Sequence, residues 1–124
     1  ASGLLSGRYD ENTTFAAEDH RNYNRHGEAF DVGETFSGVP FDVGLEAVRR
    51  LAGVVPPAVT MAQFALRWII DQPGVSVVIP GARSPEQARA NASSAELPAL
   101  SGEQLAAVAE IYDELVRPHV HERW

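Results

Sequence analysis

Val75-Ser76-Val77-Val78-Ile79-Pro80-Gly81-Ala82-Arg83-Ser84-Pro85-Glu86-Gln87 is the stretch that decides the fold. Its first five residues are short, β-branched and bounded by Pro-Gly on both sides, the pattern of a parallel-sheet strand buried on both faces. Ser84-Pro85-Glu86-Gln87 then reads as a capping box with proline at the first helical position. A strand therefore delivers a Pro-Gly turn straight into a helix. A lone strand leaves its backbone groups unpaired, and no second strand pattern stands elsewhere in the chain. Neighbouring strands are expected from outside it. The start at Ala1-Ser2-Gly3-Leu4, without Met or a signal pattern, agrees with a piece of something longer. Alone, such a piece is expected to form no sheet of its own and to leave an apolar patch larger than is normal for a monomer.

Helices flank the strand. Thr60-Met61-Ala62-Gln63 is a capping box, and Met61, Phe64, Ala65, Trp68 and Ile69 form an apolar stripe, so a helix is expected over 60–72, stopped by Pro73-Gly74. An earlier helix is expected over 42–55, with Asp42 as N-cap and Pro56-Pro57 as its end. After the turn, a helix runs from 85 to about 94 and Leu97-Pro98 breaks it. Ser101-Gly102-Glu103-Gln104 is a third capping box. It opens a helix over 102–116 with Leu105, Val108, Ala109, Tyr112, Leu115 and Val116 on one face, ended by Pro118. Residues 1–44 differ in kind: three arginines stand against eight carboxylates, and helical periodicity is weak. Phe15, Tyr23, Phe30, Phe36 and Phe41 argue against disorder. A long loop that packs its aromatics over a scaffold is expected, with a helical turn near Glu18–Tyr23.

The 124 residues suit one domain, and 10 basic against 17 acidic side chains give a net charge of −7. That balance argues against nucleic acid or an anionic membrane as partner. No apolar run approaches the ~18 residues of a membrane span. Cysteine is absent, which excludes disulfides, thiolate zinc sites and cysteine nucleophiles and fits a reducing, cytoplasmic setting. All ten basic residues are arginine.

The turn at 79–87 carries the strongest chemical signal. A helix N-terminus offers free N–H groups and partial positive charge. Gly81 allows close approach to the backbone, and Arg83 adds a fork of donors suited to phosphate. Gln87 and Asn91 share a helix face and can hydrogen-bond a purine or ribose. The alternative reading is that Pro-Gly only turns the chain, Arg83 is solvated, and the amides are ordinary surface residues. His119 and His121 lack a third ligand and diverge on a helix, so no metal site is expected; packing of Trp124 against the body is the expected role of the tail. His20 and His26 read as surface polar residues.

Three segments carry a resemblance. Val77 through Asn91 resembles the last strand, turn and helix of aldo-keto reductases, NADPH-dependent carbonyl reductases built on an eight-stranded β/α barrel. Ala1-Ser2-Gly3-Leu4-Leu5-Ser6-Gly7-Arg8-Tyr9 resembles the segment after that family's seventh strand. Ala62-Gln63-Phe64-Ala65-Leu66-Arg67-Trp68 resembles the helix between the two. The resemblance implies an α/β fold: the C-terminal part of a single TIM-barrel domain, mostly helical, with one barrel strand at about 75–79, a loop segment over 1–44, and the last helices and strand over 45–124. The missing N-terminal half of the barrel would be its partner. It further implies NADP as cofactor, with Arg83 on the 2′-phosphate, Gln87 and Asn91 at the adenosine end, Gly81 admitting it, and Ala1, Ser2 and Arg8 along the pyrophosphate. Arg21, near Asp19, resembles part of a cofactor-covering loop. Ala90 departs from relatives that carry a glutamate there.

The family's catalytic aspartate, tyrosine, lysine and histidine correspond to positions before Ala1, so no catalytic residue is assigned here. Two functions follow from the resemblance. One is the cofactor-binding portion of an oxidoreductase that reduces a small-molecule aldehyde or ketone. The other is a non-catalytic NADP-binding regulatory module of the same fold. Without a lysine this chain cannot complete the catalytic set by itself. Purified 124-residue protein, free of host reductases, is expected to consume no NADPH in the presence of an aldehyde; measurable loss of NADPH absorbance would refute this.

Overall fold

The computed structural model describes residues 1–123; Trp124, assigned a packing role above, lies outside the described residues. The helices are α1 (His20–Tyr23), α2 (Phe41–Ala52), α3 (Met61–Ile70), α4 (Pro85–Ser93), α5 (Gly102–Ile111) and α6 (Arg117–Val120), with short 3₁₀ turns at Leu4–Ser6, Val32–Glu34, Ser94–Glu96 and His121–Arg123. The caps at Thr60 and Ser101 form as the sequence predicts, each a reciprocal box with the glutamine three residues on. α2 starts one residue earlier than expected. Pro40 holds its cap position, and Asp42 lies in the first turn instead of capping.

The end of α5 departs from the expectation. Pro118 does not terminate the helix. The chain widens into a π-helical turn at Tyr112–Val116, in which the Arg117 N–H reaches back to the Tyr112 carbonyl, and then continues as α6 with Pro118 in its first turn. Widening accommodates a ring that would otherwise collide with the carbonyl four residues earlier.

No strand forms among the described residues, and the predicted strand at 75–79 is replaced by an irregular segment without a ladder. The expected burial on both faces is absent too: Val77 is 72% and Ile79 90% exposed. A strand exists only through its ladder, and none of the described residues supplies one.

The buried apolar side chains are Leu4, Phe36, Val39, Ala47, Phe64, Ile111 and Val120. The Leu4–Ser6 turn sits against both α2 and α3, α2 packs on α5 and the π turn, and α3 packs on α4. Gly44 makes the first contact possible, because a Cβ there would stand 2.7 Å from Leu4 Cδ1. Polar side chains tie the helices. Gln63 of α3 donates to Ala90 O and Ser93 Oγ of α4, at 3.4 and 3.0 Å. Arg67 pairs with Asp71 and also donates to Ala95 O and Leu97 O, at 3.1 and 3.4 Å. Asp71 in turn accepts from the Leu100 N–H.

The long N-terminal segment does pack its aromatics. Tyr9, Phe15, Phe36 and Phe41 stack with ring centroids 5.0–6.4 Å apart. Arg21 lies 4.6 Å over Phe15 and Arg25 4.8 Å over Phe41. Phe36, 1% exposed, anchors the cluster. It opens a turn in which Phe36, Ser37 and Gly38 all have positive φ, at 51°, 58° and 79°. Two non-glycine residues in that region cost about 1–2 kcal/mol each, which burial of the ring offsets. Beneath it, fully buried Asn24 accepts from the Ala29 and Phe30 N–H groups and donates to Thr35 Oγ1. Truncating Phe36 to alanine is expected to destabilise the fold by ~3–5 kcal/mol, read from the shift of a denaturant unfolding curve; a shift within experimental scatter would show that the cluster does not anchor the segment.

Candidate functional site

The sequence-predicted site residues fall into two groups. The first is the turn ahead of α4. Ser84 caps the helix by accepting from the Gln87 N–H at 3.2 Å, with Pro85 in the first turn. The expected capping box is only half formed. Gln87 Oε1 passes over Ser84 and accepts from the Arg83 N–H at 2.7 Å. Asn91 Nδ2 donates to the Gly81 carbonyl at 3.0 Å. The two amides therefore staple the turn to the helix that follows it.

This stapling fixes which groups remain available. Gln87 spends its oxygen inward and keeps its Nε2 donors, whereas Asn91 spends its nitrogen and keeps its oxygen. The exposed Arg83 guanidinium takes no ion pair or hydrogen bond among the described residues. A Cβ at Gly81 would meet nothing within 4 Å, so the backbone there is open. The turn thus holds a free cation, a helix N-terminus and an open backbone within a few residues, a combination that suits a multiply charged anion.

The second group surrounds Ser2. Ser2 has φ +50° and Gly3 φ +90°. Ser2 Oγ accepts from the Phe36 N–H at 3.0 Å. Its carbonyl is approached by Tyr9 Oη and by Arg21 Nη1, at 3.4 and 3.5 Å. Arg21 is heavily engaged: Nε and Nη2 go to the two oxygens of Asp19 at 2.8 and 2.5 Å, and Nη1 to Tyr9 Oη at 2.5 Å. Asp19 also caps α1 through the Arg21 N–H. The Arg21 side chain, and next its backbone N–H, hold the Asp19 carboxyl well below the ordinary carboxylate range, and Asp19 raises Arg21 in return. Ala1 and Arg8 are exposed at the edge of this group.

No hydrogen bond or ion pair among the described residues joins the two groups. Both lean on α3, which contacts the Leu4–Ser6 turn with one part and α4 with another. Sequence reading missed the residues that do the holding. Gln63, Arg67 and Asp71 act across 27 to 30 positions of sequence, beyond the reach of any local pattern. Asp19 carried a weak local signal, an Asp N-cap two residues before an arginine, whereas Tyr9 meets Arg21 across 12 positions. Elsewhere, Tyr112 Oη and His121 Nδ1 lie 2.9 Å apart. Among the described residues no cluster of three His, Asp or Glu side chains could hold a metal ion, and no helix is long and apolar enough to cross a membrane.

The turn ahead of α4 and the polar group around Ser2 are thus two separate surfaces carried on one helical framework. The profile of the aldo/keto reductase family matches residues 1–113, and the chain belongs to that family. It is 33% identical over 90 residues to the aldo-keto reductase YhdN of Bacillus subtilis (strain 168), covering 71% of this chain and 24% of that protein. It is 29% identical over 106 residues to a probable voltage-gated potassium channel subunit beta of Arabidopsis thaliana, covering 78% of this chain and 28% of that one. The chain thus spans about a quarter of the length of these curated relatives. No solved structure matches it significantly.

Two arginine-paired carboxyls sit below their ordinary range, Asp19 beside Arg21 and Asp71 beside Arg67, as does Glu28, which backbone N–H groups hold down. A depressed pKa in the fold contributes stability above the unfolded value, about 3.9 for aspartate, and that contribution is lost as pH falls below it. Unfolding midpoints are therefore expected to be level from about pH 5 to 7 and to drop below about pH 4. Asp19→Asn with Asp71→Asn should lower the plateau and flatten the drop; an unchanged profile would show that neither pair contributes.

Proposed function

We propose that this chain forms the NADP-binding portion of an oxidoreductase that reduces aldehydes or ketones to alcohols. The observation that carries the reading is Arg83: exposed, unpaired among the described residues, and set at the N-terminus of α4. The fit of the residues to NADP is good in kind. Arg83 and the α4 N-terminus take the 2′-phosphate, the free Nε2 of Gln87 and Oδ1 of Asn91 take the adenosine end, and open Gly81 admits it. Ala1, Ser2 and Arg8 lie along the pyrophosphate, where Arg8 is the exposed cation. When bound, the cofactor supplies a hydride for a carbonyl carbon. This chain's residues hold and orient its phosphate and adenosine ends and supply no acid to the reaction, because no lysine is present to tune one.

The exposed apolar side chains Val77 and Ile79 support a further part of the same reading: the 75–79 segment pairs with barrel strands of a larger protein, which also carries the catalytic set and grips the substrate. A cytoplasmic location accords with the absence of cysteine. A second reading, a non-catalytic NADP-binding regulatory module, is favoured by the likeness to a potassium channel subunit beta. An intact tyrosine and lysine in the rest of the protein would decide for the reductase, and their absence for the module.

A 2′-phosphate gains charge-assisted hydrogen bonds from Arg83 worth roughly 1.5–3 kcal/mol. Arg83→Ala is therefore expected to weaken NADPH binding about 10- to 150-fold and to leave NADH binding nearly unchanged. Nicotinamide fluorescence titration checks both, and equal weakening of the two would remove Arg83 from the 2′-phosphate.

A further inference from the structure

Arg21 is the best-connected side chain in the N-terminal segment, and its connections leave it little to offer a ligand. Four of its five N–H donors are engaged, two with Asp19, one with Tyr9 Oη and one toward the Ser2 carbonyl. The flat face of the guanidinium lies 4.6 Å from the Phe15 ring centroid, which closes one side. A cation arranged to meet phosphate keeps its fork free, as Arg83 does. Arg21 does the reverse: it spends the fork on its own chain.

What it holds is equally specific. Ser2 has a left-handed backbone, a conformation unfavourable for a non-glycine residue. Four contacts compensate: Arg21 and Tyr9 on the Ser2 carbonyl, the Phe36 N–H on Ser2 Oγ, and Ser2 Oγ donating to the Glu34 carbonyl at 3.5 Å. Tyr9 Oη also fills the space above Gly3, where a Cβ would come within 2.4 Å of it. Asp19 orients the arginine and is itself fixed as the N-cap of α1. The order of support runs from α1 to Asp19, then Arg21, then Tyr9 and Ser2.

We infer that Arg21 is a positioning residue: with Asp19 and Tyr9 it clamps the Ser2–Gly3 turn into its left-handed shape, so that the 1–8 segment is preformed for the pyrophosphate, and it does not touch the cofactor. This inference rests on the cofactor reading above for the identity of the ligand, but the clamp stands on the contacts alone. It replaces the covering role that the family resemblance implies for Arg21.

Two measurements on the intact protein separate the parts. The first is amide hydrogen exchange without cofactor on Arg21→Lys and Tyr9→Phe, both conservative enough to retain the fold. Exchange at Leu4 and Phe36 is expected to quicken about tenfold in each variant, while α5 keeps its protection. Unchanged exchange at Leu4 and Phe36 would overturn the clamp. The second is NADPH affinity against salt concentration. A direct phosphate contact contributes to the salt dependence, as Arg83→Ala should show by flattening it. Arg21→Lys is expected to weaken NADPH about tenfold with the salt dependence intact, and Tyr9→Phe to shift affinity the same way. Flattening by an uncharged Arg21→Gln to the degree seen with Arg83→Ala would make Arg21 a phosphate ligand and overturn the positioning role. If the unaltered protein bound no NADPH, the cofactor reading and the pyrophosphate part would fall together, and the exchange result would still decide the clamp.

Discussion

The ion pair between Arg67 and Asp71 is the tie on which the C-terminal half depends. Asp71 follows the last turn of α3 directly, so the pair spans one helical turn and needs little ordering. Its value lies in what each partner does with its remaining capacity. Arg67 takes the carbonyls of Ala95 and Leu97, which follow α4 and would otherwise end a helix without acceptors' partners. Asp71 takes the N–H of Leu100, just before the cap of α5. One pair thus sets the exit of α4 and the entry of α5 relative to α3. Gln63, one face of α3 earlier, fixes the body of α4. With α4 held at two points, the turn at its N-terminus has a defined place without a sheet behind it.

The N-terminal segment solves a similar problem by different means. It has almost no regular hydrogen bonding, so side chains must satisfy its backbone. Asn24 does so from the inside, Ser2 and Asp19 from the edges. The aromatic cluster supplies the apolar burial, and Arg21 and Arg25 close over it as cations on ring faces. Lysine would not substitute equally well, because the planar guanidinium stacks on a ring and donates along its edge at the same time.

Much of the helical architecture was legible in the sequence because it is local. Thr60, Ser84 and Ser101 announce helix starts within four residues, and proline with glycine announces several ends. The fold's departures come where distant parts decide. Pro118 is a helix stop by local rules, yet packing of α6 on the Phe36–Gly38 turn continues the helix past it, at the expense of one widened turn. The 75–79 pattern is a strand by composition, but strand formation is a property of pairs. The candidate site divides in the same way. Arg83, Gln87 and Asn91 were visible from their spacing after a capped turn. That the two amides face their own backbone, and that Arg21 is spent on Asp19 and Tyr9, depends on contacts the spacing does not contain.

The unpaired segment and the turn ahead of α4 are also physically coupled, because Ile79 is only four residues from Arg83. Burying an isoleucine or valine side chain is worth about 1.5–3 kcal/mol, so the exposed Val77 and Ile79 offer a partner strand substantial driving force. Pairing would fix the backbone up to Pro80, which donates no N–H and ends any ladder there. The turn would then be held from both sides, by strand pairing before Gly81 and by Gln87 and Asn91 after it. Fewer conformations of Arg83 would remain, and a phosphate would meet a fork already aimed, with less ordering cost on binding. The two amides can hold the turn from its helical side alone, which is why its geometry is defined here even where the preceding segment has no neighbour.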